Sequence, residues 1–326
     1  YSGLCPLFTL YGNYQPDSYL DLVQDTDGIF YDYAEKVGVA GAMITLPWER
    51  VDRLVTLSAG YQFTDRRVID DEADDYAGRD LLTTNLFEGG EGALFGKLEF
   101  FNGTFFGRSH SVEQGRLVSV GGEWSNESLG GELERTRFLG EWSEYVPLPW
   151  SENHVLKLQG LYGTGSGDEI AQGAFGLGGY GTLQSATTPG LPRNILLRGY
   201  DDNTQVGQDV AKAGVAYRFP ILRLYEGMSP TIPIYLQQVF GEFYYEGGKA
   251  WSGASDTGEE NKWLNAAGAE LNFSMTLLRF IDIAPGLGVV YAFDREDRRR
   301  SDDGNIEDVP DDKLQVYLSI KAAVNF

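Results

Sequence analysis

The sequence predicts an all-β chain that forms a transmembrane antiparallel β-barrel of about 12–16 strands, with about 14 as the best value. Three observations lead to this prediction. Apolar and polar residues alternate over long stretches, aromatic residues and glycine are abundant, and short turns alternate with long polar loops. No apolar run approaches the roughly 18 residues that a membrane helix needs, which excludes a helical membrane protein. We interpret residues 1–326 as a single barrel domain.

The strand predicted at the end of the chain, over 314–326, gives the clearest alternation. One face carries Leu314, Val316, Leu318, Ile320, Ala322, Val324 and Phe326, and the other carries Gln315, Tyr317, Ser319, Lys321, Ala323 and Asn325. An ordinary strand has about 5–6 residues, whereas a tilted strand that crosses a bilayer needs about 9–11. A soluble β-sandwich is the alternative, because it produces the same alternation with shorter strands. The length of this strand favours the barrel.

The same period of two predicts the other strands. In chain order they lie near Leu7–Tyr14, Val37–Leu46, Val55–Phe63, Leu94–Phe101, Leu117–Trp124, Phe138–Val146, Val155–Tyr162, Ala174–Tyr180, Ala213–Phe219, Tyr235–Tyr245, Ala267–Leu277 and Ile281–Phe293. With the last strand this makes about thirteen, whereas single-chain bacterial barrels have an even number. We therefore expect that this set contains one strand too many or one too few.

The connections between strands fall into two length classes. Pro147–Asn153 is short and rich in proline, as a periplasmic turn should be, whereas Asp70–Asp80, Leu183–Arg193 and Asp294–Asp312 are long and mostly polar, as extracellular loops should be. We interpret their acidic runs as solvated loop tips. The alternative is that these carboxylates hold divalent cations beside anionic lipid head groups, because hard cations prefer oxygen ligands.

Composition fits membrane strands and excludes several functions. The chain has Tyr 19, Phe 18, Trp 6 and Gly 42, and Tyr and Trp are typical of the interface girdles of membrane barrels. A net charge of −22 excludes a nucleic-acid partner, which it would repel. Cys5 is the one cysteine, and we predict no disulfide, no cofactor and no metal site. The start of the chain lacks a signal-peptide pattern, so we expect either that the mature chain begins here or that an upstream domain precedes it.

Two features that suggest chemistry, a glycine motif and a pair of histidines, have simpler structural explanations. Gly176–Gly181 matches GxGxxG, but a loop rather than a helix follows it, so we interpret these glycines as part of a crowded barrel wall. His110 and His154 belong to no catalytic or metal-binding pattern and are interpreted as ordinary interface residues. The sequence therefore predicts that the chain is not an enzyme.

Arg198 is a charged residue whose position in the fold needs an explanation. It lies in Leu196–Tyr200, on a long loop, and an arginine inside a barrel is costly unless a carboxylate pairs with it. The parity that sends Phe243 and Tyr245 to lipid points Glu246 and Glu242 into the lumen. The alternative is an exposed arginine on an extracellular loop.

These residues resemble the BamA-like superfamily of bacterial outer-membrane barrels, which includes assembly factors and two-partner secretion transporters. The resemblance is strongest over residues 115–326 and rests on the tip Arg198, Gly199 and Tyr200 and on the strand that ends Tyr217-Arg218-Phe219-Pro220. It implies that the loop 183–210 folds into the lumen and that the tip packs on an inner wall formed by Glu246, Glu242 and Arg218. It also implies a C-terminal barrel signal that comprises Tyr317, Val324 and Phe326. Lys321, Ala216 and a glutamate at 246 in place of aspartate depart from the family pattern.

The resemblance implies a function at the bacterial outer membrane, in the insertion or translocation of proteins. A plugged structural barrel that anchors an envelope complex or an upstream periplasmic domain is the alternative, and an outer-membrane hydrolase is a third hypothesis. The partners that it implies are outer-membrane lipid and lipopolysaccharide, envelope proteins and unfolded barrel clients.

Overall fold

The structure is a computed structural model and describes most of the chain. The described residues are 5–24, 30–68, 87–104, 112–168, 170–180, 190–227, 234–252, 262–277, 281–295, 297–300, 306–309 and 313–322. The acidic run 70–80, His110, Val324 and Phe326 lie outside the described residues. No helix in the described part of the chain is long and apolar enough to span a membrane.

The chain is built from strands almost throughout. They are β1 (Leu7–Gln24), β2 (Phe30–Arg50), β3 (Arg53–Val68), β4 (Gly89–Phe101), β5 (Gly115–Ser125), β6 (Arg135–Pro147), β7 (Val155–Gly167), β8 (Phe175–Leu177), β9 (Asn194–Ile195), β10 (Gln205–Gly207), β11 (Asp209–Gly227), β12 (Ile234–Trp251), β13 (Leu264–Leu277), β14 (Ile281–Ala292), β15 (Asp297–Arg300), β16 (Ile306–Val309) and β17 (Leu314–Ala322).

Twelve of these strands form one antiparallel sheet, the wall of the barrel. Its order is β1-β2-β3-β4-β5-β6-β7-β11-β12-β13-β14-β17, so that every wall strand pairs with the next one along the chain. The all-β barrel prediction is confirmed, and the strand number lies at the lower end of the expected range rather than at 14. Within the described residues the end strands β1 and β17 share no ladder.

One predicted wall strand is wrong. The segment Ala174–Tyr180 does not enter the wall, because its central part forms β8 in a separate three-stranded sheet of order β10-β8-β9. Gly176 therefore belongs to this three-stranded sheet, and Gly178 follows it directly, so neither is part of a crowded wall. The error has a physical cause: an apolar strand packed inside a barrel has the same residue types as a strand in its wall. Without this segment, the strands predicted for the wall reach an even number.

The two faces of the wall differ as the period of two requires. On β17 the side chains of Leu314, Val316 and Leu318 are 64%, 70% and 70% exposed, whereas Tyr317 between them is 8% exposed. On β12 Phe243 and Tyr245 are exposed, and Glu242, Tyr244 and Glu246 are buried. Large apolar side chains thus cover the outer face of the wall, and the buried core lies in the lumen of the barrel. A sandwich would instead bury one apolar face against a second sheet.

Connections at the two ends of the wall differ in length. Residues 51–52 join β2 to β3, and the predicted turn Pro147–Asn153 joins β6 to β7 at the same end. The connection from β7 to β11 lies at the opposite end and runs from 168 to 208. Because long loops mark the extracellular end of a membrane barrel, we call this second end the outer end. Arg198 and its neighbours are on this long connection.

Candidate functional site

The long connection between β7 and β11 folds into the barrel and fills part of its lumen. We call its described residues, 170–180 and 190–208, the plug. β8 pairs with β9 in parallel and with β10 antiparallel, which gives the plug a small sheet of its own. Phe175, Leu177 and Leu197 are fully buried and share one apolar cluster with inward wall residues that include Val210 and Val290. This burial holds the body of the plug by the hydrophobic effect.

Arg198 is at the tip of the plug and binds the wall through a fork of hydrogen bonds. Its Nε donates to Oε1 of Glu246 at 3.1 Å and its Nη2 donates to Oε2 at 3.2 Å. Its backbone N–H donates to Oε1 of the same carboxylate at 2.8 Å. Nη1 donates to Oε1 of Glu242 at 3.2 Å. Bidentate pairing of this kind is the strongest arrangement that arginine makes with a carboxylate.

The carboxylates around Arg198 have further partners of their own. Lys212 Nζ is 3.1 Å from Glu246 Oε2, and Arg218 Nε donates to Glu242 Oε2 at 2.6 Å. Glu270 Oε2 lies 3.6 Å from Arg198 Nη1. We call these six residues the tip cluster; it has three carboxylates and three basic groups. Their charges balance, as a buried ionic group requires.

An aromatic ring also contacts the Arg198 side chain. The guanidinium carbon of Arg198 is 3.3 Å from the centroid of the Tyr244 ring, which is a cation–π contact. Burial alone would lower the pKa of Arg198, but the carboxylates of Glu246 and Glu242 outweigh it, so the pKa lies above its usual value. Arg198 is therefore a fixed positive charge that holds the plug against β12.

Gly199 and Tyr200 continue the tip against the strands that follow. Gly199 has a φ of 91°, a conformation that favours glycine, and a Cβ there would lie 3.0 Å from Cγ2 of Val290. The Tyr200 hydroxyl donates to the Asn265 carbonyl at 2.7 Å and accepts from the Asn265 backbone N–H at 3.1 Å. Burial raises the pKa of Tyr200 to about 12. The tip thus contacts β12, β13 and β14.

A second ionic cluster holds the plug on a different part of the wall. Arg135 Nη2 lies 2.6 Å from Glu91 Oε1, and Arg193 of the plug lies 3.9 Å from the other oxygen of Glu91. Gln172 of the plug donates to the Phe87 carbonyl at 3.0 Å. Further wall members are Glu35, which Arg66 and Gln172 both contact, and Glu123, which pairs with Arg137 at 2.7 Å. We call this set the second anchor.

The predicted site residues fall into three groups. Arg198, Gly199, Tyr200, Glu246, Glu242 and Arg218 come together at the tip. Tyr317 faces the lumen, donates to Glu270 Oε2 at 2.7 Å and has its hydroxyl 3.2 Å from that of Tyr244; the other signal residues, Val324 and Phe326, lie outside the described residues. Sequence reasoning missed Lys212, Glu270 and Tyr244, although their inward parity with Glu246 and Arg218 was a usable signal. It also missed the second anchor, whose members are scattered over several strands.

A cavity of about 590 Å³ remains beside the plug. Its wall side carries Lys97, Glu99 and Glu141, and its plug side carries Leu191 and Ile195. Lys97 pairs with Glu99 at 2.8 Å. Phe95 and Leu139 also line it from the wall, so the cavity has a mixed polar and apolar lining.

The remaining candidates for chemistry have structural contacts. The His154 ring nitrogen hydrogen-bonds the Tyr217 hydroxyl, and the ring stacks near Phe219 with centroids 6.2 Å apart. Among the described residues, no group of three or more potential ligands could hold a metal ion. The prediction that the chain binds no metal or cofactor stays a prediction.

Comparison with known proteins identifies the fold. No protein-family model matches the chain, and no curated protein matches its sequence. The crystal structure of BamA from Haemophilus ducreyi lacking POTRA domains 1-3 matches with a TM-score of 0.54 and 13% identity, over 95% of this chain and 62% of that chain. CdiB from Escherichia coli matches with a TM-score of 0.54 and 12% identity, over 96% of this chain and 50% of that chain. This chain thus spans less than two thirds of either, and the resemblance to BamA-like barrels is confirmed as a likeness of fold.

Proposed function

We propose that this chain is an outer-membrane β-barrel of bacteria that acts in the insertion or translocation of proteins at that membrane. The observation that carries the proposal is the combination of a wall with the fold of BamA and CdiB and a plug whose arginine tip is ion-paired to the inner wall. Fold alone does not fix function, so the plug is the part of the argument that is specific to this chain.

The wall offers a physical route for an incoming strand. β1 and β17 are the two ends of the sheet, and a strand at the end of a sheet presents unpaired backbone groups that can template another strand. β1 pairs with β2 from Leu7 to Gln24, a length that exceeds a membrane crossing of about 9–11 residues. We propose that a client strand adds to this edge, while the plug keeps the lumen closed.

The partners follow from this location. Outer-membrane lipid and lipopolysaccharide would cover the exposed apolar side chains, and unfolded barrel clients or other envelope proteins would meet the sheet edge. The proposal includes no catalytic step. His154 is engaged by Tyr217 and lies near Phe219, so it lacks the serine and acid of a hydrolytic triad within the described contacts.

The proposal is tested by insertion of a client into vesicles. The full chain is reconstituted in liposomes, a urea-unfolded eight-stranded barrel is added, and its folding is followed by heat-modifiable gel mobility. We expect the client to fold several times faster than in liposomes that hold an unrelated closed barrel at the same protein-to-lipid ratio. Equal folding rates in the two preparations, with the chain itself folded, would reject the insertion function.

The second candidate function is a plugged barrel that anchors an envelope complex or a periplasmic domain. Its support is the double attachment of the plug, through the tip cluster on β11–β13 and through the second anchor on β2–β6. Such bracing suits a wall that does not need to open. This function predicts no effect on client folding and stable recovery of envelope proteins with the chain after gentle solubilisation.

A further inference from the structure

The outer face of the β2–β3 hairpin carries two pairs of basic residues, one near each end. In the register of the hairpin, Lys36 lies opposite Arg67, and Arg50 lies opposite Arg53. Opposed residues of an antiparallel pair point to the same face. The first pair is at the outer end of the barrel, beside the long connections, and the second pair flanks the short turn at the other end.

The first pair points away from the lumen and is exposed. Glu35 and Arg66, the neighbours of Lys36 and Arg67 along the strands, are 0% and 3% exposed and face inward. Lys36 is exposed, and the Arg67 side chain is 68% exposed. Two like charges directly opposite each other in a sheet repel, so this arrangement costs stability unless an anion lies between them.

One carboxylate of the described residues forms an ion pair with this group. Arg67 Nε donates to Asp65 Oδ2 at 3.1 Å. On the other side of Lys36, β1 offers the uncharged Pro16. Glu88, which precedes β4, is exposed and forms no ion pair with Arg67 among the described residues. Lys36 therefore forms no ion pair among the described residues, and the donors of its ammonium remain available.

The spacing of the two pairs matches a bilayer. Lys36 and Arg50 are about 46 Å apart along the strand at ~3.3 Å per residue, which is roughly 35 Å along the membrane normal at a tilt of about 40°. The hydrocarbon core is about 30 Å thick, and the head groups bring the total to about 40–45 Å. Apart from Asp65, which pairs with Arg67, the outward side chains between the pairs are uncharged and include Ile44, Leu57 and Trp48, which are exposed. Each basic pair would therefore lie at head-group depth.

We propose that Lys36 and Arg67 form a binding site for the phosphate of a phosphorylated glycolipid, such as lipid A, in the outer leaflet. An arginine fork and a lysine ammonium are the side chains that best bind phosphate. Both members of the second pair, Arg50 and Arg53, already have partners. Arg53 pairs with Asp52 at 3.1 Å, and Arg50 lies over the Trp48 ring at 5.1 Å. Arg67 also has a carboxylate partner, Asp65, so Lys36 is the one of the four basic residues that no carboxylate or ring engages among the described residues. The proposal rests on the proposed outer-membrane location.

The test measures lipid binding to the full chain in detergent by native mass spectrometry, with lipid A and with the same lipid after removal of its phosphates. We expect lipid A to bind roughly 10-fold to 30-fold more tightly, on the basis of about 1 kcal/mol for each basic residue at an anionic membrane surface. The double variant Lys36→Gln with Arg67→Gln should abolish this difference. The double variant Arg50→Gln with Arg53→Gln is the matched control, because it removes the same number of charges from a pair whose members are already engaged by Asp52 and Trp48, and it should change the affinity little.

Three outcomes would overturn the site. Equal affinity for the two lipids in the unsubstituted chain would assign the basic pair to acidic residues of the chain itself, such as those that follow at Asp70. An unchanged preference for lipid A in the double variant would place the phosphate elsewhere. Displacement of lipid A by millimolar inorganic phosphate would make the site one for free phosphate. Failure of the membrane location is a separate result, because the chain would then stay folded and monomeric without detergent.

Discussion

Arg198 shares its carboxylates with other groups, and this changes what its removal does. Glu246 keeps Lys212 at 3.1 Å, Glu242 keeps Arg218 at 2.6 Å, and Glu270 keeps the Tyr317 hydroxyl at 2.7 Å. No carboxylate of the tip cluster is left bare when the arginine is removed. The cost of that change is therefore the loss of charge-assisted hydrogen bonds, and not the burial of an unpaired charge.

We predict that Arg198→Ala loosens the tip of the plug by about 2–3 kcal/mol, because several charge-assisted hydrogen bonds are lost together. Cleavage by chymotrypsin after Tyr200 should become roughly 30-fold to 100-fold faster, since proteolysis follows the population of the opened loop. The matched control is Arg53→Ala, which removes an exposed pair with Asp52 and should leave the cleavage rate unchanged. If neither Arg198→Ala nor Glu246→Gln changes protease resistance, the pairing does not hold the plug.

Gly199 gives a prediction that depends on backbone conformation and space. Gly199→Ala places a Cβ on a backbone with a φ of 91°, 3.0 Å from Val290 Cγ2 and 3.2 Å from Ala292 Cβ. We expect a loss of at least about 1 kcal/mol in the docking of the plug, measured by the same protease assay. Gly227→Ala is the control, because nothing lies within 4 Å of a Cβ there. Equal effects of the two substitutions would contradict the packing argument.

Tyr200 gives the tip a dependence on alkaline pH. Burial raises the pKa of Tyr200 to about 12, above its value of about 10 in an unfolded chain. The neutral Tyr200 hydroxyl therefore stabilises the docked plug fully below pH ~10. This stabilisation is lost as the pH rises toward ~12, by about 1.4 kcal/mol per pH unit. We expect protease resistance of the plug to fall over this range in the unsubstituted chain. In Tyr200→Phe the loss of protease resistance over this pH range should be smaller by the contribution of Tyr200. Identical pH profiles for the two proteins would show that Tyr200 is not the titrating group.

At the scale of elements, the sequence predicted the wall well and the plug poorly. Strands such as β17 are specified by alternation between lipid and lumen, which the sequence displays directly. β8 is specified by long-range packing inside the lumen, and its residue types are those of a wall strand. The tip was predictable in part, because Arg198 and Glu246 carry opposite charge and suitable parity. Lys212 and the second anchor depend on which strands become neighbours across the lumen, and alternation does not contain that information.

We predict that the plug closes the barrel to ions. Deletion of Asn194–Asp209 removes the tip, including Tyr200, and the neighbouring Leu197. These two side chains are 1% and 0% exposed, and their loss should join the space they fill to the cavity of about 590 Å³. Planar-bilayer recordings should show little conductance for the full chain and stable open channels for the deletion variant. Arg198→Ala should give brief intermittent openings, because the plug is loosened and still present. Equal conductance for all three would mean that the plug does not obstruct the lumen.

At the scale of the whole molecule, the two faces of the wall are stabilised in different ways. The net charge is −22, with long acidic runs in the connections, while the outward faces of the wall strands carry large exposed side chains such as Phe8, Leu10 and Val316 at 78%, 85% and 70% exposure. In water such continuous apolar surface drives association. The same surface is stable only when lipid or detergent covers it, and the lumen is stable because its charges are paired with one another.

The last prediction concerns this division between lipid and lumen. The purified chain should stay folded and monodisperse in detergent and should aggregate when detergent is removed, because burial of apolar surface is worth about 25 cal/mol per Å². Val316→Glu, on the outward face of β17 near its outer end, should impair insertion into vesicles by up to about 1 kcal/mol. Gln315→Glu, on the inward face of the same strand, is the matched control, because the Tyr180 hydroxyl that donates to Gln315 can also donate to a carboxylate. A folded monomer in plain buffer would contradict the membrane barrel itself, whereas equal effects of the two substitutions would contradict only the assignment of faces on β17.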